Sequence, residues 1–320
     1  MNQFIMICKR VLQTVAATVV GLVVTLAAGG GALAGPTVWA QVSGRTHVET
    51  LRQGSLERQA RIYRPAVRER HPALVLDLQG AGGNAAFQEA ITGFDSQADR
   101  LGWIVAYPDS ANGGWHTFGC CKNIRQIDDV GFMASLIDRL EATDGVDPGR
   151  VYVTGGSRGG MMAYRLACEL SSRVAAIAPV AGSMETAIGS AGPAPCEPSR
   201  PVSVLDVHGS ADPEVPIEGG RSRVNVEEVS YAPLHQVIAR WRDIDGCATS
   251  PATTVSGTSN LRVWSCRDGS VVESLVVNGG GHTYPGALIV NAPGTSGAGL
   301  NASRLIADFF ASRGPAAGAR

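Results

Sequence analysis

The run Gly155-Gly156-Ser157-Arg158-Gly159 is the feature that most constrains how this chain can fold. It lies between an apolar run at 151–154 and a helix-like run at 161–170. Glycines on both sides of a serine let the backbone turn tightly, because a glycine has no Cβ to obstruct the turn. The sequence therefore predicts a sharp strand-to-helix turn that exposes the Ser157 hydroxyl above a sheet. A Gly/Ser-rich loop without a chemical role is the alternative interpretation.

The composition is that of a chain with a large apolar core. Of the 320 residues, 44% are hydrophobic and 17% are charged, and the mean hydropathy is +0.06. Apolar runs alternate with segments of helical spacing, which predicts an α/β fold with a mainly parallel sheet and helices on both faces. We expect one catalytic domain at 45–312 and a disordered tail at 313–320. Because 27 Lys+Arg balance 28 Asp+Glu without a basic block, no nucleic-acid partner is expected.

The first 40 residues differ from the rest of the chain. Lys9 and Arg10 precede an apolar stretch at 11–28, and two small-residue patterns then permit cleavage after residue 34 or residue 40. This layout predicts a Sec-type signal peptide at 1–40, and hence a secreted or periplasmic protein with no stable membrane insertion after cleavage. An uncleaved membrane anchor is the alternative, since the stretch approaches spanning length. Its glycines and polar residues argue against that alternative.

Six cysteines remain once Cys8 is removed with the signal peptide. An even number of cysteines in an oxidising compartment indicates disulfide bonds. A zinc site is the competing interpretation, but the sequence has neither paired Cys-x-x-Cys nor His-x-x-x-His spacing. We therefore expect neither a metal nor a cofactor.

The predicted chain direction pairs four of these cysteines. The helix after Ser157 starts at the top of the sheet and descends about 16 Å by Cys168. Cys196 precedes a strand that begins at the bottom, so we pair Cys168 with Cys196. Cys247 follows a helix and Cys266 ends a nearby hairpin strand, so we pair Cys247 with Cys266.

Cys120 and Cys121 lie next to each other in a loop at the top of the predicted sheet. Neither reaches the lower pair easily, so we predict a vicinal Cys120–Cys121 bond, because an exported protein rarely keeps adjacent thiols reduced. Two free thiols are one alternative. The other is a loop that folds down the side of the domain and exchanges partners with the lower pair.

The Ser157 turn resembles the nucleophile elbow of the α/β-hydrolases, in which an acid and then a histidine follow the serine along the chain. Both should lie just beyond the C-terminal ends of strands, where a parallel sheet builds its sites. Asp212 follows the strand predicted at 202–207, whereas Asp206 lies inside that strand, so Asp212 is the predicted acid. His282 follows a later strand in a glycine-rich loop and is the predicted base. The other histidines precede these positions or lie within a helix.

This order of residues predicts hydrolysis through an acyl-enzyme. His282 would take the proton of Ser157 as the serine attacks an ester carbonyl, and Asp212 would hold the imidazole in place. Two backbone N–H groups would bind the resulting oxyanion. They are those of Arg158, directly after the nucleophile, and Ala81, in the glycine-rich loop after the first buried strand.

Seven sequence blocks, taken in order, resemble the secreted esterase family that includes polyhydroxybutyrate depolymerases, feruloyl esterases and acetylxylan esterases. They are Leu-Gln-Gly-Ala-Gly-Gly at 78–83, Tyr-Pro-Asp at 107–109, Gly-Gly-Trp with Cys-Cys at 113–121, Ile-Asp-Asp-Val-Gly-Phe at 127–132, the serine turn with its helix at 155–166, His-Gly-x-x-Asp at 208–212, and Gly-Gly-His-Thr-Tyr-Pro-Gly at 280–286. The resemblance implies an α/β-hydrolase without a large cap domain. It also implies an ester substrate, either a polyester oligomer or a phenolic or acetyl ester of a polysaccharide.

Three positions depart from the family pattern. Gln79 replaces the usual His, Arg158 replaces the more frequent Asn, Ser or Ala, and Tyr284 replaces the usual Trp. These departures leave the triad intact and bear on the shape of the pocket. We predict that Trp115, His116 and Tyr284 line that pocket, because their loops follow predicted strands. For Trp115, packing beneath a loop is the alternative.

Two other functions fit the same motifs. One is a peptidase or thioesterase, since the fold alone does not determine which acyl compound is cleaved. Peptidases of this fold usually carry an additional propeller or a large cap domain, for which the chain has no room. The other is a non-catalytic binding protein on a hydrolase scaffold. The presence of all three predicted triad residues is evidence against it. Among esters we expect short-chain or aryl esters rather than crystalline polyester, because we expect no polymer-anchoring module after residue 312.

Overall fold

The computed structural model describes residues 44–118, 127–186, 195–222, 230–287 and 299–313. The predicted signal peptide, the cysteines at 120 and 121, and residues 314–320 of the predicted tail lie outside the described residues. Within the described ranges, every helix is too short or too polar to cross a membrane.

Ten strands of the described chain form one mixed sheet. They are β1 (Arg45–Gln53), β2 (Leu56–Arg64), β3 (Leu74–Leu78), β4 (Ile104–Pro108), β5 (Val151–Gly156), β6 (Ala176–Val180), β8 (Ser203–Gly209), β10 (Ala252–Ser256), β11 (Ser259–Ser265) and β12 (Val271–Val277). Two short strands, β7 (Glu185–Thr186) and β9 (Ser230–Tyr231), pair with each other. The order in the sheet is β1-β2-β4-β3-β5-β6-β8-β12-β11-β10. The six central strands of this order, β4, β3, β5, β6, β8 and β12, are parallel. The sheet is extended by antiparallel strands at both edges, β2 and β1 beyond β4, and β11 and β10 beyond β12.

Helices cover both faces of this sheet. One face carries α1 (Ala85–Thr92), α2 (Asp95–Leu101) and α6 (Ala302–Ala311), and the other carries α3 (Asp129–Asp144), α4 (Arg158–Glu169) and α5 (Leu234–Asp245). Each layer contributes apolar side chains to its own core cluster. β3, β4, β6 and β8 are buried along their whole length, as parallel strands covered on two faces must be. The predicted mainly parallel sheet with helices on both faces is confirmed.

Two local predictions from the sequence were wrong. The pattern at 58–63 predicts an edge strand, but this segment is the second strand of the sheet, because β1 pairs with the full length of β2 outside it. The pattern at 87–101 predicts a single helix, but the structure has two helices, α1 and α2. Gly93 has a φ of 57° and caps α1, so its left-handed conformation ends the helix after Thr92.

Two disulfide bonds join secondary structure elements at the lower side of the sheet and at its far hairpin. Cys168, in the last turn of α4, is bonded to Cys196, which precedes β8. Cys247, after α5, is bonded to Cys266, after β11. Both bonds are the ones expected from the chain direction.

Candidate active site

Ser157 lies at the junction of β5 and α4 in a strained backbone conformation, with φ 55° and ψ −120°. The turn packs against the carboxyl end of β3. A Cβ on Gly155 would lie 2.5 Å from the carbonyl oxygen of Leu78, and a Cβ on Gly159 would lie 2.1 Å from it. Both glycines are therefore required by close backbone approach, and the turn they allow presents Ser157 at the edge of the sheet.

Asp212 and His282 form a hydrogen-bonded pair. The Asp212 Oδ1 atom accepts hydrogen bonds from the backbone N–H groups of Glu214 (2.8 Å) and Val215 (2.9 Å). Its Oδ2 atom lies 2.8 Å from the Nδ1 atom of His282. The two backbone donors fix the buried carboxylate so that it faces the imidazole. Asp206, inside β8, instead accepts a hydrogen bond from the Tyr164 hydroxyl at 2.7 Å.

This pairing shifts both pKa values in favour of the charged forms. Burial lowers the pKa of His282, but the hydrogen bond and charge of Asp212 and the charge of Glu214 outweigh it, so the pKa is raised. Burial raises the pKa of Asp212, but the hydrogen bond and charge of His282 and the Val215 N–H outweigh it, so the pKa is lowered. The Glu214 carboxylate lies 3.7 Å from His282 Nε2.

Ser157 and His282 line the same cavity, which has a volume of about 640 Å³. The glycine-rich loop at 80–83 and Glu214 also border it. Its larger apolar lining residues are Phe87, Ile91, Val180, Ala181, Tyr284 and Ala287. A second cavity of about 390 Å³, between α5 and β11, holds none of the predicted site residues.

Of the two predicted oxyanion donors, one borders this cavity and the other is the first residue of α4. Ala81 lines the cavity. The N–H of Gly82 donates to the Gly113 carbonyl and that of Gly83 to the Gly80 carbonyl, whereas the Ala81 N–H makes no hydrogen bond within the described residues. Arg158 is the first residue of α4, so its N–H belongs to the first turn, where backbone donors have no intrahelical acceptor.

The predicted pocket residues divide into two groups. Tyr284 lines the cavity, and its hydroxyl is hydrogen-bonded to Ser303. Trp115 and His116 are not among the described residues that line this cavity. Trp115 is fully buried, and its indole N–H donates to the Gln79 carbonyl at 2.9 Å. The His116 N–H donates to the buried Asp129 carboxylate at 2.7 Å, which holds this segment against α3.

Phe87 and Ile91 line the cavity and were not predicted. Their spacing of four residues on α1 is the only sequence signal, since it places both side chains on one face of a helix. That face points at the site because α1 follows directly after the 80–83 loop.

The described residues contain no cluster of three or more His, Cys, Asp or Glu side chains that could bind a metal ion.

Comparison with known proteins identifies relatives by sequence. No family model matches the chain. The protein named "Putative esterase NocK" from Nocardia uniformis subsp. tsuyamanensis is 32% identical over 252 residues, which cover 73% of this chain and 71% of that protein. Feruloyl esterase B from Piromyces equi is 30% identical over 214 residues, which cover 65% of this chain and 39% of that protein. The match thus spans well under half of the Piromyces protein.

Solved structures share the fold. The acetyl xylan esterase from Aspergillus awamori aligns with a TM-score of 0.56 and 16% identity over 77% of this chain and 96% of that one. The protein named pOPH aligns with a TM-score of 0.56 and 15% identity over 87% of this chain and 90% of that one. With its sequence relatives, this chain belongs to an esterase family and is a carboxylic-ester hydrolase, and its fold is that of the α/β-hydrolases.

Proposed function

We propose that this esterase cleaves its substrate with a Ser157–His282–Asp212 triad through an acyl-enzyme intermediate. One observation carries the proposal. The histidine that is hydrogen-bonded to Asp212 borders the same cavity as the strained serine at the tip of β5. The order serine, acid, histidine along the chain is the order that this superfamily uses.

The hydrogen bond between Nδ1 and Asp212 assigns the roles of the two imidazole nitrogens. Because the Asp212 carboxylate accepts a hydrogen bond from the Nδ1–H group, the Nε2 atom of neutral His282 is left as the base. It takes the Ser157 proton during attack on the ester carbonyl and returns it to the leaving alcohol. A water molecule, deprotonated by His282 in the same way, then attacks the acyl-enzyme and releases the acid and Ser157. The N–H groups of Ala81 and Arg158 would hold the oxyanion, a role in which each donor contributes about 3–4 kcal/mol to the transition state.

The cavity supports an aryl or short acyl ester as the substrate. Phe87, Ile91 and Tyr284 give it an apolar wall beside Ser157, which suits a planar phenolic acyl group or a short chain. One sequence relative is named a feruloyl esterase, and one structural neighbour an acetyl xylan esterase. We propose phenolic or acetyl esters of polysaccharides as the substrate class, ahead of polyester oligomers.

We also propose that the protein is exported. The charged, apolar and small-residue regions of 1–40 have the order of a secretory signal. The two disulfides support an oxidising compartment as the place where the chain folds.

A substrate panel with Ser157→Ala tests this function. We expect the wild type to hydrolyse methyl ferulate, p-nitrophenyl acetate and p-nitrophenyl butyrate faster than amorphous polyhydroxybutyrate. We expect Ser157→Ala to lower kcat on every ester by about 10⁵- to 10⁶-fold, because triad members act as a unit. Ser135→Ala is the matched control, since that hydroxyl bonds only its own helix at the surface. An active Ser157→Ala variant would show that another nucleophile carries the reaction.

A further inference from the structure

A buried aspartate interrupts the apolar strand β3. Asp77 is the fourth of the five residues of this strand, and the other four are leucine or valine. Its side chain is completely buried, and it is not a member of the proposed triad. Burying a carboxyl group costs free energy unless the group is hydrogen-bonded. Two hydrogen bonds to a neighbouring helix offset this cost.

Both oxygens of Asp77 bind α1, the helix that packs beside β3. The Gln88 side-chain amide donates to Oδ1 at 2.7 Å, and the Thr92 hydroxyl donates to Oδ2 at 2.7 Å. Gln88 and Thr92 are themselves buried, and their spacing of four residues places them on one face of the helix. A helix held at two points one turn apart cannot rotate or slide along the strand without breaking one of these bonds.

The residues that precede these two anchors line the cavity beside Ser157. Phe87 comes directly before Gln88, and Ile91 comes directly before Thr92. Successive residues of a helix are about 100° apart around its axis, so the anchored face lies next to the face that borders the cavity. Gln88 also lines the cavity. Fixing the anchors therefore fixes Phe87 and Ile91 relative to the serine.

The same helix is tied to Tyr284, which contributes another wall of the cavity. The Ser303 hydroxyl donates to the Thr92 carbonyl at 2.7 Å, and the Tyr284 hydroxyl lies 3.1 Å from the Ser303 Oγ atom. Because the Ser303 proton is used on the carbonyl, Ser303 accepts from Tyr284. Thr92 thus connects two walls, since its hydroxyl binds Asp77 and its carbonyl leads through Ser303 to Tyr284.

We propose that Asp77 is a positioning residue that sets the width of the acyl pocket, acting through Gln88 and Thr92. The hydrogen-bond network then determines which acyl groups the enzyme accepts. A rigid planar phenolic acyl group needs walls at one fixed separation, whereas an acetyl group is too small to contact both walls. This inference rests on the proposed function, since it takes the cavity beside Ser157 to be the acyl pocket.

The first test measures α1 itself and does not depend on activity. Thr92→Val has nearly the same shape as threonine but lacks the hydroxyl that binds Asp77, whereas Thr92→Ser keeps a hydroxyl. Hydrogen exchange followed by mass spectrometry should show the amides of 85–92 exchanging at least about tenfold faster in Thr92→Val, because a buried hydrogen bond is lost. Thr92→Ser should exchange close to the wild-type rate. Unchanged exchange in Thr92→Val would overturn the role of Asp77 in holding the helix.

The second test compares acyl groups on one leaving group, p-nitrophenol. Asp77→Leu removes both acceptors, whereas Asp77→Asn still accepts from Gln88 and can donate to the Thr92 hydroxyl. We expect Asp77→Leu to lower kcat/KM on p-nitrophenyl ferulate by about tenfold to 100-fold and on p-nitrophenyl acetate by less than about threefold, because only the larger group depends on the position of the walls. Asp77→Asn should keep the wild-type ratio. Thr92→Val should change the ratio in the same direction as Asp77→Leu, by a smaller amount.

Thr117→Val is the matched control. The Thr117 hydroxyl also donates to a buried carboxylate, that of Glu185, at 2.6 Å, but Thr117 is not among the described residues that line the cavity. This variant should leave the ratio of the two esters unchanged even if urea unfolding shows a loss of stability. An equal loss on both esters in Asp77→Leu and Thr92→Val, or a ratio changed as much in Thr117→Val, would attribute the effect to general destabilisation and overturn the inference.

The two tests separate this inference from the proposed function. A wild type that hydrolyses neither ester would refute the proposed function, and hydrogen exchange would still decide whether Asp77 holds α1. A wild type that is active, with a ratio that Asp77→Leu and Thr92→Val leave unchanged, would keep the proposed function and overturn the role of Asp77 in acyl selectivity.

Discussion

Gly159 shows at the scale of one residue why the serine turn needs its flanking glycines. A Cβ at this position would lie 2.1 Å from a backbone oxygen, that of Leu78, which cannot move without disturbing β3. We expect Gly159→Ala to lower the free energy of unfolding by about 1–3 kcal/mol, the usual cost of overpacking. It should also lower kcat/KM on p-nitrophenyl butyrate by more than about tenfold, because Ser157 is displaced.

Gly54→Ala is the control for this substitution. Gly54 has a φ of 59°, but no atom lies within 4 Å of the position a Cβ would take. We expect a stability loss of about 1 kcal/mol from the backbone conformation alone, and unchanged activity. Urea unfolding and kcat/KM measured on the same samples separate the two effects. Full activity in Gly159→Ala would mean that the turn tolerates a side chain.

The pH dependence of the reaction is also determined by single residues, His282 and its neighbour Glu214. In the proposed mechanism only neutral His282 can accept the Ser157 proton, so kcat/KM should rise with pH through the His282 pKa, which lies above the ordinary value of about 6.5. Glu214 is one cause of the raised pKa, since its negative charge favours the imidazolium. Glu214→Gln removes that charge, so the acid limb should move to lower pH. A profile of kcat/KM against pH for the two proteins measures the shift, and an upward movement would contradict this account.

The positions of Asp212 and His282 could be predicted from the sequence, but the direction of Trp115 could not. Strand ends are marked by apolar runs, and a parallel sheet brings the ends of its strands to one edge, so residues just after those runs were good candidates. Sequence spacing locates the start of a loop without showing which way its side chains point. Trp115 is buried, and its indole N–H donates to the Gln79 carbonyl, a partner that the sequence does not reveal.

At the scale of elements, long apolar runs were recognised and polar edge strands were missed. β1 and β10 were not predicted, because no residue of β1 is buried and the four residues of β10 with described side chains are all exposed. Their strand character comes from pairing with a neighbour, β1 with β2 and β10 with β11. Such pairing depends on the assembled sheet rather than on the local sequence.

Trp115 and Phe87 lead to a prediction about the 80–83 loop and α1. Trp115 supports the loop from behind through Gln79, whereas Phe87 faces the cavity and is 46% exposed. We expect Trp115→Ala to cost about 3–5 kcal/mol of stability, as for large buried aromatic side chains, and to leave the ratio of rates on methyl ferulate and p-nitrophenyl butyrate unchanged. Phe87→Ala should alter that ratio severalfold with little change in stability. A changed ratio in Trp115→Ala and not in Phe87→Ala would support the predicted position of Trp115 in the pocket.

For the whole molecule, the order of strands explains how distant residues meet. Ser157 follows β5, Asp212 follows β8, and His282 follows β12. These strands are parallel and lie side by side except for β6, which separates β5 from β8. The three loops therefore gather at one edge although 125 residues of chain separate the first from the last (282 − 157 = 125). The sequence predicts the parallel sheet, but the interleaved order of β4, β3 and β5 follows from crossovers that local patterns do not encode.

The two disulfides act on the stability of the whole domain and allow a comparison of two physical contributions. The chain-entropy model depends on loop length, and the separations of 28 and 19 residues differ too little to distinguish the bonds, by about 0.3 kcal/mol. Packing does distinguish them. Cys168 and Cys196 are 8% and 3% exposed, whereas Cys247 and Cys266 are only partly buried.

Replacing both cysteines of a bond by alanine should therefore cost more at Cys168–Cys196 than at Cys247–Cys266. We expect about 2–4 kcal/mol for the second pair from loop entropy, and about 1 kcal/mol more for the first from the cavity left behind. Because α4 begins directly after the proposed nucleophile and β8 leads to the proposed acid, the Cys168→Ala/Cys196→Ala protein should also lose activity on heating before the other variant does. Urea unfolding and residual esterase activity after heating measure these two quantities. Equal losses in both variants would mean that loop entropy alone accounts for the stabilisation, with no contribution from the buried sulfur atoms.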